Sequence, residues 1–116
     1  MLTIPPMMRV FVCVEPTDMR KGFDGLSGMA MEVLKQNPQS GHFFVFRNRA
    51  GDKLKILYWG GDGMILWCKR LERGTFELPK GEGGGVEITT AQLSMLIDGV
   101  SLSSPMRKRF KLAKAA

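Results

Sequence analysis

Cysteine, histidine and long apolar runs are all scarce in these 116 residues. Cys13 and Cys68 are the only cysteines and His42 the only histidine. Two thiols this far apart give no disulfide framework, and each sits in an apolar, strand-like run, so both are expected as buried free thiols. With one histidine there are too few soft ligands for a tetrahedral zinc site at such spacing. No Gly-x-Ser-x-Gly turn is present and no cysteine is paired locally with His42, which argues against a nucleophilic hydrolase. His42 is instead expected in a structural or surface role. No apolar stretch reaches the 18 residues a membrane helix needs, so no membrane partner is expected. Met1–Val14 lacks a basic start followed by an apolar run and does not read as a signal peptide. Together these point to a cytoplasmic protein.

Acidic residues are missing from one region in particular. The last eleven residues carry Arg107, Lys108, Arg109, Lys111 and Lys114 and no Asp or Glu, and so hold five of the net six positive charges. Residues 1–100 therefore read as one nearly neutral α+β domain, followed by a basic, mobile tail over 101–116. Within the domain a second excess lies between Arg47 and Arg73. There seven basic residues (Arg47, Arg49, Lys53, Lys55, Lys69, Arg70 and Arg73) face only Asp52, Asp62 and Glu72. Such charge suits a polyanionic partner, although solvated basic faces also occur without one.

The pattern of apolar residues and breakers predicts the elements. Arg9–Val14 is a strand ended by Glu15-Pro16, since proline cannot donate to a ladder. A helix follows from Thr17 or Asp18 to about Gln36, with Met19, Phe23, Leu26, Ala30, Val33 and Leu34 as its apolar stripe. Gly22, Gly25 and Gly28 would form a smooth side of that helix laid against a sheet. His42–Asn48, Lys53–Trp59 and Met64–Leu71 form a meander, with turns at Arg49–Asp52 and Gly60–Gly63. Thr75–Leu78 is a weaker strand, and Val86–Ile88 is extended. Thr89 with Gln92 matches a capping box that opens a second helix closed by Gly99. The expected architecture is an antiparallel β-meander of four to five strands with two helices packed on one face.

Catalytic and metal-binding patterns are weak. Gly60-Gly61-Asp62-Gly63 lacks the Gly-Lys-Ser/Thr and the following helix of a phosphate-binding loop, and reads as a hairpin turn. The acids Asp18, Asp24, Glu32, Asp52 and Asp62 are scattered singly through a cap, a helix and turns. No catalytic residue, metal ligand or cofactor is therefore expected. The stronger feature is basic residues interleaved with aromatics. One sheet face is expected to carry Phe43, Val45, Arg47, Lys53, Lys55, Leu57 and Trp59, either as a solvated face whose apolar end a helix covers or as a usable platform for phosphate and base contacts. Phe44, Phe46, Leu54, Ile56 and Tyr58 would form the core side.

Glu15-Pro16-Thr17-Asp18-Met19-Arg20-Lys21-Gly22-Phe23-Asp24-Gly25-Leu26 resembles the opening signature of the TnpB accessory proteins of IS66-type insertion sequences. This family is distinct from the RNA-guided nuclease that shares the TnpB name. Ser40–Arg49, Lys53–Trp59, Gly61-Asp62-Gly63, Leu66-Trp67 and Lys69–Gly74 continue the match in order. The signature residues are Pro16, Asp18, Arg20, Lys21, Gly22, Trp59, Asp62, Gly63, Trp67, Lys69 and Arg70. Gly60 departs from the frequent aspartate and Cys68 from the frequent aromatic. The resemblance implies an auxiliary factor for transposition, encoded beside a separate transposase. The expected partners are element-end DNA and that transposase. DNA contact is expected from Arg47, Arg49, Lys53 and Lys55 and, in the tail, from Arg107, Lys108, Arg109 and Lys111. Arg20, Lys21, Lys69, Arg70 and Arg73 are secondary candidates. Alternatives are a protein–protein adaptor that never touches DNA, and a small nuclease using Asp18, Asp24 and Asp62.

Overall fold

A computed structural model of the chain describes residues 4–5, 7–81 and 83–99. In chain order the elements are β1 (Val10–Cys13), α1 (Phe23–Glu32), β2 (Phe43–Arg47), β3 (Lys53–Trp59), β4 (Met64–Arg70), β5 (Gly85–Ile88) and α2 (Thr90–Ile97). The five strands form one sheet in the order β4-β3-β2-β1-β5. The α+β class and the β2–β3–β4 meander are as expected. One pair, β1 with β2, runs parallel, because α1 carries the chain back over the sheet between them. The other pairs are antiparallel.

The two helices lie on opposite faces rather than on one. Leu26 and Ala30 of α1 pack with Phe11, Cys13, Phe44, Phe46 and Leu57. Leu93 and Leu96 of α2 pack with Val10, Val12, Phe43, Val45, Leu54 and Ile56. Each cluster takes alternate residues of the same strands, as the two-residue pleat requires. β2 is thus covered on both sides, and Phe43 through Phe46 are all buried. A strand buried on both faces reads as a continuous apolar run and carries no inside–outside alternation.

Helix α1 starts five residues later than its cap signal. The Thr17 amide donates to the Arg47 carbonyl at 2.8 Å, which holds this segment against the end of β2. The Asp18 carboxylate accepts from the Arg20 amide at 2.9 Å, closing a local turn in place of a helix cap. At the far end, Lys35 takes a positive φ of 57° and reverses the chain before Pro38 is reached. Helix α2 agrees with its signals. Thr89 and Gln92 form the reciprocal capping box, worth about 1 kcal/mol, and Gly99 closes the helix at φ 89°.

Thr75–Leu78 is not a strand. It is pinned instead by the Phe76 amide donating to the Gly51 carbonyl at 2.7 Å, with Phe76 and Leu78 buried under α2. Cys13 is buried as expected, but Cys68 is exposed, on β4 at the edge of the sheet. The glycine expectation fails as well. A Cβ at Gly22 or Gly28 would meet nothing within 4 Å, so neither position is pressed against the sheet. Gly25 does have a neighbour, the Lys21 side chain, at 3.1 Å from a Cβ there.

Candidate nucleic-acid interface

The basic residues of the hairpin sort by strand register. β2 pairs with β3 so that Phe46 stands opposite Lys55 and Arg47 opposite Leu54. Partners in a ladder share a face, so Arg47 lies on the α2 side and Lys53 and Lys55 on the α1 side. The expected single platform of Phe43, Val45 and Arg47 with Lys53, Lys55, Leu57 and Trp59 is therefore corrected. Phe43 stacks on Tyr58 instead, with ring centroids 4.4 Å apart. Asn48 sets this register. Its side-chain oxygen accepts from the amides of Gly51 and Lys53 at 2.9 and 3.1 Å, and its amide donates to Asp52 at 2.8 Å. The result is a four-residue turn, Arg49–Asp52, which places odd positions of β2 beside even positions of β3.

Three of the basic side chains are engaged inside the fold. Arg47 donates from Nη1 to the Phe76 carbonyl at 2.6 Å, while its Nε is buried with no hydrogen-bond partner among the described residues. Lys55 donates from Nζ to the carbonyls of Met19 and Lys21, at 2.8 and 3.0 Å, and so ties the segment before α1 to the sheet. Lys69 donates to the Ile97 carbonyl at 2.9 Å, where a cation also complements the negative end of α2. Arg20 is bound to Asp18 at 2.7 Å. Its side-chain hydrogen bonds to Asp18, then its amide, lower that carboxyl from 3.8 to about 2. With Arg20 92% exposed, the pair adds little to stability.

What remains free is a smaller, better-defined set. β3 and β4 pair with Lys53 directly opposite Arg70 and Lys55 opposite Cys68. Both Lys53 and Arg70 are exposed, and Arg49 is exposed in the turn leading into Lys53. Lys21 is exposed beside the Lys55 ammonium that holds its carbonyl. A shallow depression of about 150 Å³ lies here, lined by Met19, Lys53, Leu54, Lys55, Cys68, Lys69 and Arg70, with no acid among them. Asp52 lies within reach, held below the usual carboxylate range by the Asn48 amide and, more weakly, by Lys53 and Arg70. Like charges directly opposite in a ladder are destabilising, so the Lys53–Arg70 pair costs the fold something and favours an external anion. Sequence reasoning placed Arg70 only among secondary candidates, because its position opposite Lys53 depends on the register.

The remaining signature residues hold the frame. Gly22 is the N-cap of α1, and Pro16 is exposed in the loop before it. Asp62 and Gly63 belong to the β3–β4 turn, where the Gly60 amide donates to the Gly63 carbonyl at 2.8 Å and Gly61 takes φ 97°. Trp59 faces Met64 across the ladder and Trp67 faces Ile56. His42 accepts the Arg9 amide at Nδ1, 3.0 Å away, and meets Phe11 edge-on, a structural role as expected. Among the described residues no three His, Cys, Asp or Glu side chains gather as a metal site would need, and Asp18, Asp24 and Asp62 stay apart. Arg107, Lys108, Arg109 and Lys111 lie outside the described residues. Among the described residues no helix is long and apolar enough to cross a membrane.

A family described as IS66 Orf2 like protein matches residues 8–107. The chain belongs to that family. This membership places it among the accessory proteins associated with transposition, and the resemblance read from the motifs is confirmed. It is 46% identical over 98 residues to the uncharacterized protein y4hO of Sinorhizobium fredii, covering 84% of this chain and 85% of that one. To the uncharacterized protein y4jC of the same organism it is 36% identical over 104 residues, covering 90% and 89%. No solved structure matches the chain.

Proposed function

We propose that this IS66 Orf2-like protein is a non-enzymatic transposition factor that binds the phosphate backbone of element DNA through the open end of the β3–β4 hairpin, away from its Gly60–Gly63 turn. The observation that carries this reading is the depression, with no acid in its lining, where Lys53 stands opposite Arg70, with Arg49 exposed in the turn leading into Lys53 and Lys21 exposed beside the Lys55 ammonium. Phosphate contacts of this type position a protein on a duplex without reading sequence. The tail charges, Arg107, Lys108, Arg109 and Lys111 among them, would add to the same electrostatic attraction. Arg47 and Lys55 are assigned to the fold and not to DNA, since Arg47 Nη1 and Lys55 Nζ donate to carbonyls inside the fold and Arg47 Nε is buried.

The test is a salt titration of duplex binding by the wild type and by a Lys21→Gln, Arg49→Gln, Lys53→Gln variant. Every phosphate that the variant no longer neutralises should lower the slope of log affinity against log salt by roughly 0.9, so the triple variant should give up to about 3 units less. These side chains are exposed, and the unfolding free energy should stay within about 0.5 kcal/mol for each. An unchanged slope with the fold intact would remove DNA from this face. A second reading, an adaptor for the transposase, has its own observation: Phe23 and Met31 stand 48% and 54% exposed on α1. Transposase binding that survives the triple variant but disappears with Phe23→Ser and Met31→Ser would assign that role to α1.

A further inference from the structure

The two edges of the sheet are unlike. β5 is four residues long and enters from Gly83-Gly84-Gly85, a short edge of the kind that resists further pairing. β4 is seven residues long, Met-Ile-Leu-Trp-Cys-Lys-Arg, contains no proline, and pairs only with β3 among the described residues. Ile65 is 41% exposed there, and Cys68 is also exposed. The ladder shows which backbone groups are free. Gly60 with Gly63 and Leu71 with Asp52 are hydrogen-bonded pairs at 2.8 Å. Bonded and non-bonded pairs alternate in an antiparallel ladder, so Ile65, Trp67 and Lys69 direct their amides and carbonyls to β3. Met64, Leu66, Cys68 and Arg70 direct theirs outward.

We infer that β4 pairs antiparallel with β4 of a second copy of this chain, about a two-fold axis at Leu66, to form a continuous ten-stranded sheet. A two-fold axis normal to the sheet lets only registers with an even residue sum pair outward groups with outward groups. Centring on Leu66 sets Met64 against Cys68 and Asp62 against Arg70 of the other copy on one face. On the other face it sets Ile65 against Trp67. Each contact occurs twice, and each is chemically matched. Centring on Trp67 would instead oppose Asp62 to Glu72 and Ile65 to Lys69. Centring on Cys68 would oppose Leu66 to Arg70 and Trp67 to Lys69. The Leu66 register also supplies a counter-charge to Arg70, half of the like-charged pair with Lys53. Lys21, Arg49 and Lys53 stay free for a polyanion, whereas Arg70 is shared by the two readings, and self-association measured without DNA tests this one separately.

Sedimentation equilibrium of the full chain, without DNA, should give twice the 12.9 kDa chain mass at micromolar concentration. In a Cys68→Ser background, Leu66→Cys should oxidise to a covalent dimer, because self-paired residues sit about 5.5 Å apart at Cα, within disulfide reach. Ile65→Cys in the same background should not, since Ile65 faces Trp67 and not its own copy. Arg70→Asp should weaken self-association about tenfold or more, and adding Asp62→Arg should restore it. A monomeric wild type would overturn the inference. So would a dimer whose Leu66→Cys variant fails to cross-link, or one indifferent to both charge changes.

Discussion

Gly28 sits in the middle of α1, where glycine is about 1 kcal/mol worse than alanine because it loses more backbone entropy on ordering. Nothing in the fold asks for it, since a Cβ there would meet no atom within 4 Å and φ is not positive. Gly28→Ala should therefore raise the urea midpoint, by an amount equivalent to about 1 kcal/mol, at unchanged m-value. A fall in stability would show that something packs against that side of α1. The same attention to side-chain surroundings separates the basic residues by role. Arg47 and Lys55 have carbonyl acceptors inside the fold, whereas Lys53 has another cation opposite it. Charge alone, counted along the chain, treats all three as equal.

At the scale of elements, three side chains anchored outside their own strands define how the pieces meet. Lys55 joins the 17–22 segment to β3, Arg47 joins the 75–78 segment to β2, and Lys69 joins the end of α2 to β4. The first of these is the most readily tested. Lys55→Met keeps the aliphatic stem but removes both bonds to the Met19 and Lys21 carbonyls. Hydrogen bonds from a charged donor contribute about 1.5–3 kcal/mol, and the destabilisation should fall in that range by chemical denaturation. Lys53→Gln, one pleat away and exposed, should stay within about 0.5 kcal/mol. If the two variants were equally stable, the tie to the pre-helix segment would not exist in solution. The late start of α1 has the same origin. Thr17 and Asp18 look like helix caps, and each makes its hydrogen bonds elsewhere.

For the whole molecule, the net positive charge is concentrated in the last eleven residues. The last eleven residues carry five basic side chains and lie outside the described residues. Counterion release depends on charge number more than on shape. A chain ending at Pro105 should fold, bind duplex DNA more weakly, and show a salt slope smaller by up to about 4 to 5 units if all five charges meet phosphates. A truncated chain that keeps the full slope would leave DNA attraction to the hairpin alone. One that fails to fold would move the domain boundary beyond residue 105, toward the end of the family match at 107.

Much of this was legible from residues alone. The apolar runs and turns located β1 to β4, the Thr89–Gln92 pair located α2, and the ordered motifs gave the family. These signals are local, and local sequence carries them. Even the register of β2 on β3 was within reach. A four-residue turn at Arg49–Asp52 already requires Arg47 to share a face with Leu54 and not with Lys53. Other features needed the assembled chain. The parallel β1–β2 pair, the helices on opposite faces and the exposure of Cys68 depend on which strand ends up beside which. The choice between a basic side chain that binds a carbonyl and one left for a phosphate depends on distant backbone arriving within 3 Å. Such bonds join residues up to 36 positions apart, a separation across which periodicity and local charge hold no information.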